Sequence, residues 1–138
     1  MTAKEFLSRA RHIDERIERR HEELVRLRQR LEAGRSAAIS DMPRGGRADW
    51  TDSLARVIDI EARINGEILE LCRVKEEIID AINTVHDIRY RTLLEYRYRN
   101  YWSWQKIADV MGYDVRWIYR LHGQALRCVK VPGDNTPL

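Results

Sequence analysis

Arg116, Arg120 and Arg127 recur in a stretch where nearly every fourth residue is apolar and the residues between are aromatic or basic. At 100° per residue a helix gathers Arg116, Arg120, Gly123 and Arg127 on one meridian and sets Tyr119 and Trp117 on its flanks. A guanidinium fork pairs in its own plane with O6 and N7 of guanine, and lysine and serine more often hold phosphates. This is recognition chemistry rather than bond-making chemistry. No nucleophile stands beside a base, no glycine-rich loop could cradle phosphate and no carboxylates cluster, so neither catalysis nor a catalytic residue is expected. His12, His21 and His86 have no companions at metal-ligand spacing, and Cys72 and Cys128 lie far apart, so the expectation is no metal, no cofactor and no disulfide. His122 falls on the buried side of its helix and reads as a packed, hydrogen-bonded histidine.

Three short helices must position these groups. Trp104, Ile107, Ala108 and Met111 stand at i, i+3, i+4 and i+7 and build one apolar face, with Ser103 as the cap before them. Gly112 follows where the chain turns sharply, and Ala108 is small enough to let the next helix cross closely. Asp114 caps that next helix, from Val115 to about Val129, whose inner face is Val115, Ile118, His122, Ala125, Leu126 and Val129, with Leu121 at its margin. Ahead of both, Asp87 caps a helix through about Arg99 built on Tyr90, Leu93, Leu94 and Tyr98, and a turn at Asn100–Trp102 joins the two parts. Two short helices joined by a tight turn, the second offering arginines and aromatics near its start, describe a helix-turn-helix with a recognition helix over 115–129.

The stretch "RYRTLLEYRYRNYWSWQKIADVMGYDVRWIYRLHGQALRCV" resembles region 4 of sigma-70-type factors, especially the phage-encoded regulators that carry such a module after a helical N-terminal segment. The resemblance covers about a third of the chain. It rests on the Arg89–Leu94 opening, the Trp104-x-x-Ile107-Ala108-x-x-Met111-Gly112 core and the Arg120–Leu126 ending. It implies binding of double-stranded promoter DNA by a phage or prophage regulator, with bacterial RNA polymerase as a further contact. Carried over by position, it implies that Val115, Arg116, Tyr119 and Arg120 face bases, and that Ser103, Gln105, Lys106 and Arg127 approach phosphates. Trp117, at the edge of the helix, is expected either to pack or to touch the DNA backbone. Val115-Arg116-Trp117 is bulky where many such factors carry small polar residues, so the promoter sequence they read does not transfer.

The remainder of the chain reads as a long antiparallel helical hairpin, a coiled coil, over residues 1–86. Phe6, Ala10, Ile13, Ile17, Leu24, Leu27 and Leu31 step by threes and fours, interrupted at Arg20, and Thr2 with Glu5 forms a capping box at the start. Residues 33–50, with three glycines and a proline, read as a flexible loop, and Arg44-Gly-Gly-Arg47 within it as a solvated turn rather than a nucleic-acid contact. A second long helix runs from about Asp52 to Asn83 on Leu54, Val57, Ile64, Ile68, Leu71, Ile78 and Ile82, and continues through Gly66. Its additional apolar residues Ile58, Ile60, Leu69, Cys72, Val74 and Ile79 exceed what one partner helix needs. Either a second copy of the chain, as a homodimer, or the C-terminal module would take up that surplus. The expected division is therefore a hairpin at 1–86, a helix-turn-helix domain at 87–131 and a tail at 132–138, all-α throughout.

The chain has 138 residues, of which 43% are hydrophobic and 34% charged, which suits one modest domain or two small ones and disfavours a deep catalytic cleft. Its net charge of +3 is unevenly spread: residues 87–138 carry nine Lys or Arg against five Asp or Glu, whereas 51–86 carry four against eight. The basic half is the one holding the arginine meridian, which points to an anionic partner. Without an apolar leader core or a run of roughly 20 apolar residues, the expected location is the cytoplasm of a bacterial host and no membrane partner is expected. A DNA-binding transcription regulator is the leading expectation. The alternatives are a phage small terminase subunit, which would assemble a ring for DNA packaging, and a protein-interaction module that binds no DNA.

Overall fold

A computed structural model of the chain describes residues 1–41 and 44–133, and within 37–48 the backbone alone. The architecture is all-α, and among the described residues no strand occurs. The elements are α1 (Ala3–Asp41), α2 (Arg44–Asn83), α3 (Ile88–Leu94), a π-helical turn (Glu95–Arg99), α4 (Trp104–Met111) and α5 (Val115–Arg127). No helix among the described residues is long and apolar enough to cross a membrane.

The local signals act where they are written. The Glu5 amide donates to Thr2 Oγ1 at 3.2 Å and the Thr2 amide to Glu5 Oε2 at 3.1 Å, a reciprocal box that satisfies two otherwise orphaned donors of α1. Asp87, Ser103 and Asp114, each with extended backbone, accept from the first-turn amides of α3, α4 and α5. Gly112 ends α4 at φ 74°, in the left-handed region, and its amide closes on the Ala108 carbonyl at 2.9 Å. α2 runs unbroken through Gly66.

One expectation about the long helices is corrected. Among the described residues of 33–50 the expected flexible loop is not observed: α1 continues to Asp41 and α2 begins at Arg44. Alanine, arginine and serine in this stretch are adequate helix formers, and Gly34 penalises a helix by only about 1 kcal/mol relative to alanine. The Trp50 indole also ties the two sides together by donating to the Leu31 carbonyl at 3.2 Å. The reading of Arg44-Gly-Gly-Arg47 as a solvated turn concerns side chains that lie outside the described residues, as do residues 134–138 of the expected tail.

The contacts group the chain differently from the expected division at residue 86. The chain forms two compact units, Glu15–Cys72 and, separately, Met1–Asp14 with Arg73–Leu138. Within Glu15–Cys72, Leu31, Ile64 and Ile68 are buried, and Ile17, Leu24, Leu27, Leu54 and Val57 are half-buried. Arg20, the interruption in the apolar row, bonds Glu23 at 3.0 Å and Glu67 at 2.9 Å, and Arg28 pairs with Glu61. A single charged group in an otherwise apolar row admits few alternative registers.

In the other unit the first turns of α1 and the last of α2 belong with the C-terminal helices because both are greasy. Phe6, Leu7, Ala10, Ile13, Ile78, Ile82 and Val85 are all buried. Leu7, one residue off the expected row, is completely covered. The Tyr101 hydroxyl donates to the Asp14 carboxylate, which also binds Lys75 Nζ at 2.6 Å. Behind α4 and α5 lies a core of Leu93, Ile107, Ala108, Ile118 and Leu121, ringed by Tyr90, Tyr96, Trp102, Trp104, Met111 and Val115.

Candidate nucleic-acid interface

The outward side of α5 is built from the residues its buried side leaves over. Ile118, Leu121, His122 and Ala125 turn inward and are buried, which leaves Arg116, Arg120, Gly123 and Arg127 exposed on the other meridian. Among the described residues no side-chain hydrogen bond or ion pair occupies the three guanidiniums. Tyr119 is 52% exposed and Trp117 40% exposed on the flanks. The arginine spacing of four and seven residues puts the three groups within about 16 Å along the axis at 1.5 Å per residue.

Not every expected residue sits on that side. Val115, expected to face bases, is half-buried against the core behind the helix, because the first turn of α5 must also close over α4. Leu121, expected at the margin, is fully buried, and α5 ends at Arg127 rather than near Val129. On α4, Ser103, Gln105 and Lys106 are exposed, each with an internal partner. Ser103 Oγ accepts from the Lys106 amide at 3.2 Å, and Gln105 Nε2 donates to Asp109 Oδ1 at 2.9 Å. Lys106 Nζ lies 4.1 Å from the centre of the Trp102 ring, which fixes the ammonium near the start of α4.

What holds this surface was only partly legible in the residue pattern. α3 continues into a π-helical turn, closed by the Asn100 amide on the Glu95 carbonyl at 3.0 Å, where an ordinary helix was expected through Arg99. The extra residue in that turn brings Tyr96 to stack on Trp102, with ring centres 4.3 Å apart and planes 15° from parallel. Arg97 then reaches back, donating from Nη1 to the Trp102 carbonyl at 2.9 Å and covering the Trp104 ring at 4.2 Å. Tyr101 takes φ 60°, a conformation strained for a tyrosine, to connect the turn to α4. Trp104 in turn meets the edges of Tyr119 at 5.5 Å and His122 at 4.6 Å. The aromatic ladder therefore runs from the π turn to the exposed face of α5. No sequence signal distinguishes a π turn from an α turn, so this ladder went unseen.

His122 is 8% exposed and joined to the Tyr98 hydroxyl by a hydrogen bond of 2.6 Å between Nε2 and Oη. Burial, assisted by the positive charges of Lys4 and Arg97, pushes its pKa down to about 4. Burial also pushes Tyr98 up to about 12, against the pull of Arg97. Both groups are thus neutral at physiological pH, and the pair braces α5 from behind without placing a charge in the core. At Asp87 desolvation pulls the pKa up, but hydrogen bonds from the Arg89 side chain and from the Arg89 and Tyr90 amides, with the Arg89 charge, outweigh it and hold the carboxyl below its ordinary value. Among the described residues no group of three potential ligands could hold a metal ion.

Comparison of the chain with protein-family models, with curated proteins and with solved structures finds no match.

Proposed function

We propose that α4, the Gly112 turn and α5 form a helix-turn-helix that lays α5 in the major groove of double-stranded DNA, and that the chain is a sequence-specific transcription regulator. The observation that carries this reading is the row of three exposed guanidiniums, without internal partners among the described residues, on a helix backed by a packed core. Arg116 and Arg120, in the first half of α5, are the base readers, with Tyr119 beside them. Lys106, Arg127 and Trp117 contact the backbone, and Ser103 and Gln105 offer hydrogen bonds at the start of α4. Val115 serves mainly as packing. The resemblance of residues 89–129 to region 4 of sigma-70-type factors supports a phage or prophage regulator that works at bacterial RNA polymerase. In this reading α1 and α2 pair as an antiparallel hairpin along Glu15–Cys72.

The test is duplex binding measured by fluorescence anisotropy across a salt series. If Lys106 and Arg127 each neutralise one phosphate, log affinity falls against log salt with a slope of about −1.8. Selection from random duplexes should enrich a discrete site, and Arg116→Ala or Arg120→Ala should lose about 1 to 3 kcal/mol of discrimination at one position within it. Binding unchanged in both variants at physiological salt, or no duplex binding at all, refutes the assignment.

A further inference from the structure

The outward side of α5 is braced on one flank only. The Tyr119 ring stands edge to the Trp104 ring, with 5.5 Å between centres and 68° between planes. Trp104 is itself fixed from two further directions, by the Arg97 guanidinium 4.2 Å from its ring centre and by the His122 ring at 4.6 Å. Arg97 is tied in turn to the Trp102 carbonyl at 2.9 Å. This chain of contacts ends on a phenol that is half exposed and whose hydroxyl has no hydrogen-bond partner among the described residues. On the opposite flank, Trp117 has no ring or cation stacked on it among the described residues. Gly123 adds an independent observation. It stands one turn beyond Tyr119, where a side chain would lean back toward the phenol ring. A Cβ at Gly123 would meet nothing within 4 Å, and its backbone is ordinary helix, so the fold does not require a glycine that weakens a mid-helix position. A side chain missing where no protein neighbour forbids it leaves room for a neighbour outside the chain.

We infer that Trp104 is a positioning residue for DNA binding: it presets the Tyr119 ring, and the bare backbone at Gly123 lets the duplex close on that ring. The role rests on the reading of α5 as a recognition helix. An exposed tyrosine on a helix otherwise divides its time between two side-chain orientations, and selecting one of them on binding weakens affinity. Trp104 makes that selection in advance. Tyr119 lies about 60° around the helix from Arg116, close enough to share its groove. It is then the fixed point that sets where α5 sits along the duplex. Arg116 and Arg120, whose guanidiniums have no internal partners among the described residues, adjust to the bases from there.

Nuclear magnetic resonance of the free chain and duplex binding by anisotropy test the proposal together. In the free parent the Tyr119 Hα–Hβ couplings should report one side-chain orientation, and in Trp104→Leu they should average. Trp104→Leu should weaken duplex binding about threefold to tenfold, the cost of ordering one side chain. Trp104→Phe, which keeps an aromatic edge toward Tyr119, should recover most of that loss. In a Tyr119→Ala background Trp104→Leu should cause no further loss, because its effect passes through that ring, whereas a merely structural role would weaken both backgrounds alike. Gly123→Gln should raise the thermal midpoint and weaken duplex binding tenfold or more, so that stability and affinity move in opposite directions. The parent couplings and Gly123→Gln leave the core untouched and decide the matter even where Trp104→Leu does not fold. Averaged Tyr119 couplings in the parent, equal losses from Trp104→Leu in the two backgrounds, or parent-like binding by Gly123→Gln would overturn the proposal and leave α5 a DNA-binding helix. A parent chain that binds no duplex overturns the functional reading, and this role with it, whatever the Tyr119 couplings show.

Discussion

Protonation of His122 should loosen the very helix that carries the arginine row. The ring is 8% exposed and its pKa is pushed down to about 4, whereas an unfolded chain returns it to its ordinary value of 6.5. Between these two values the unfolded state binds the proton and the folded state does not, so unfolding is favoured as pH falls. The contribution of neutral His122 is therefore complete above pH 6.5 and is lost progressively down to about 4. That difference corresponds to roughly 3 kcal/mol, most of which would be gone by pH 4.5. The decisive assay is the titration of the His122 ring protons by nuclear magnetic resonance, expected to have its midpoint near 4 in the folded chain. Urea unfolding at pH 7.5 and 4.5, followed by near-ultraviolet circular dichroism, provides the energetic counterpart. His122→Gln, which remains neutral and can still bond Tyr98, should remove most of the pH dependence assigned to this site while carboxylates elsewhere titrate as before. A folded-state midpoint near 6.5, or a His122→Gln variant with the parent's pH dependence, refutes the reasoning.

Three further perturbations address the same surface. Gly112→Ala places a Cβ at φ 74° and should destabilise the chain by about 1 kcal/mol, read as a lower thermal midpoint, because the space around it is open and only the backbone conformation is penalised. Asp114→Ala removes the acceptor for the Arg116 amide, at 3.2 Å, and should lower stability by about 1 kcal/mol, with frayed first-turn amides of α5 visible in hydrogen exchange. Arg97→Ala strips the cation from the Trp104 ring and leaves the Trp102 carbonyl without its donor, so a loss of about 1 to 2 kcal/mol is expected in urea unfolding. Arg97→Lys should restore only part of that loss, since an ammonium cannot cover the ring and donate in the plane of a fork at once.

Much of the C-terminal half was readable residue by residue because its signals are local. Asp87, Ser103 and Asp114 each satisfy amides two or three residues away, Gly112 answers a backbone requirement at its own position, and the apolar steps of α4 and α5 say which side faces inward. The exposure of Arg116, Arg120 and Arg127 follows from the same period, since residues on the meridian opposite Ile118 and Ala125 have nowhere to go but outward. Thr2 and Glu5 likewise wrote the beginning of α1 in four residues.

Only the tertiary structure decided the rest, wherever the deciding partner lies far along the chain or two local outcomes differ by little energy. Helix and loop differ little in energy over 33–41 and 44–50, and the bond from Trp50 to Leu31 is a long-range contact that accompanies the helices there. The π turn at Glu95–Arg99 differs from an α turn by one residue, and the stacking of Tyr96 on Trp102 and the reach of Arg97 to Trp104 accompany it. Leu7 and Leu121 became core, and Val115 became packing, because each borders a buried row that can widen only where a neighbouring element covers it. The Tyr98–His122 bond spans 24 residues and required the folded chain to bring its two ends together. Periodicity thus assigns a side chain to one face of its own helix, and the arrangement of the other helices determines what that face meets.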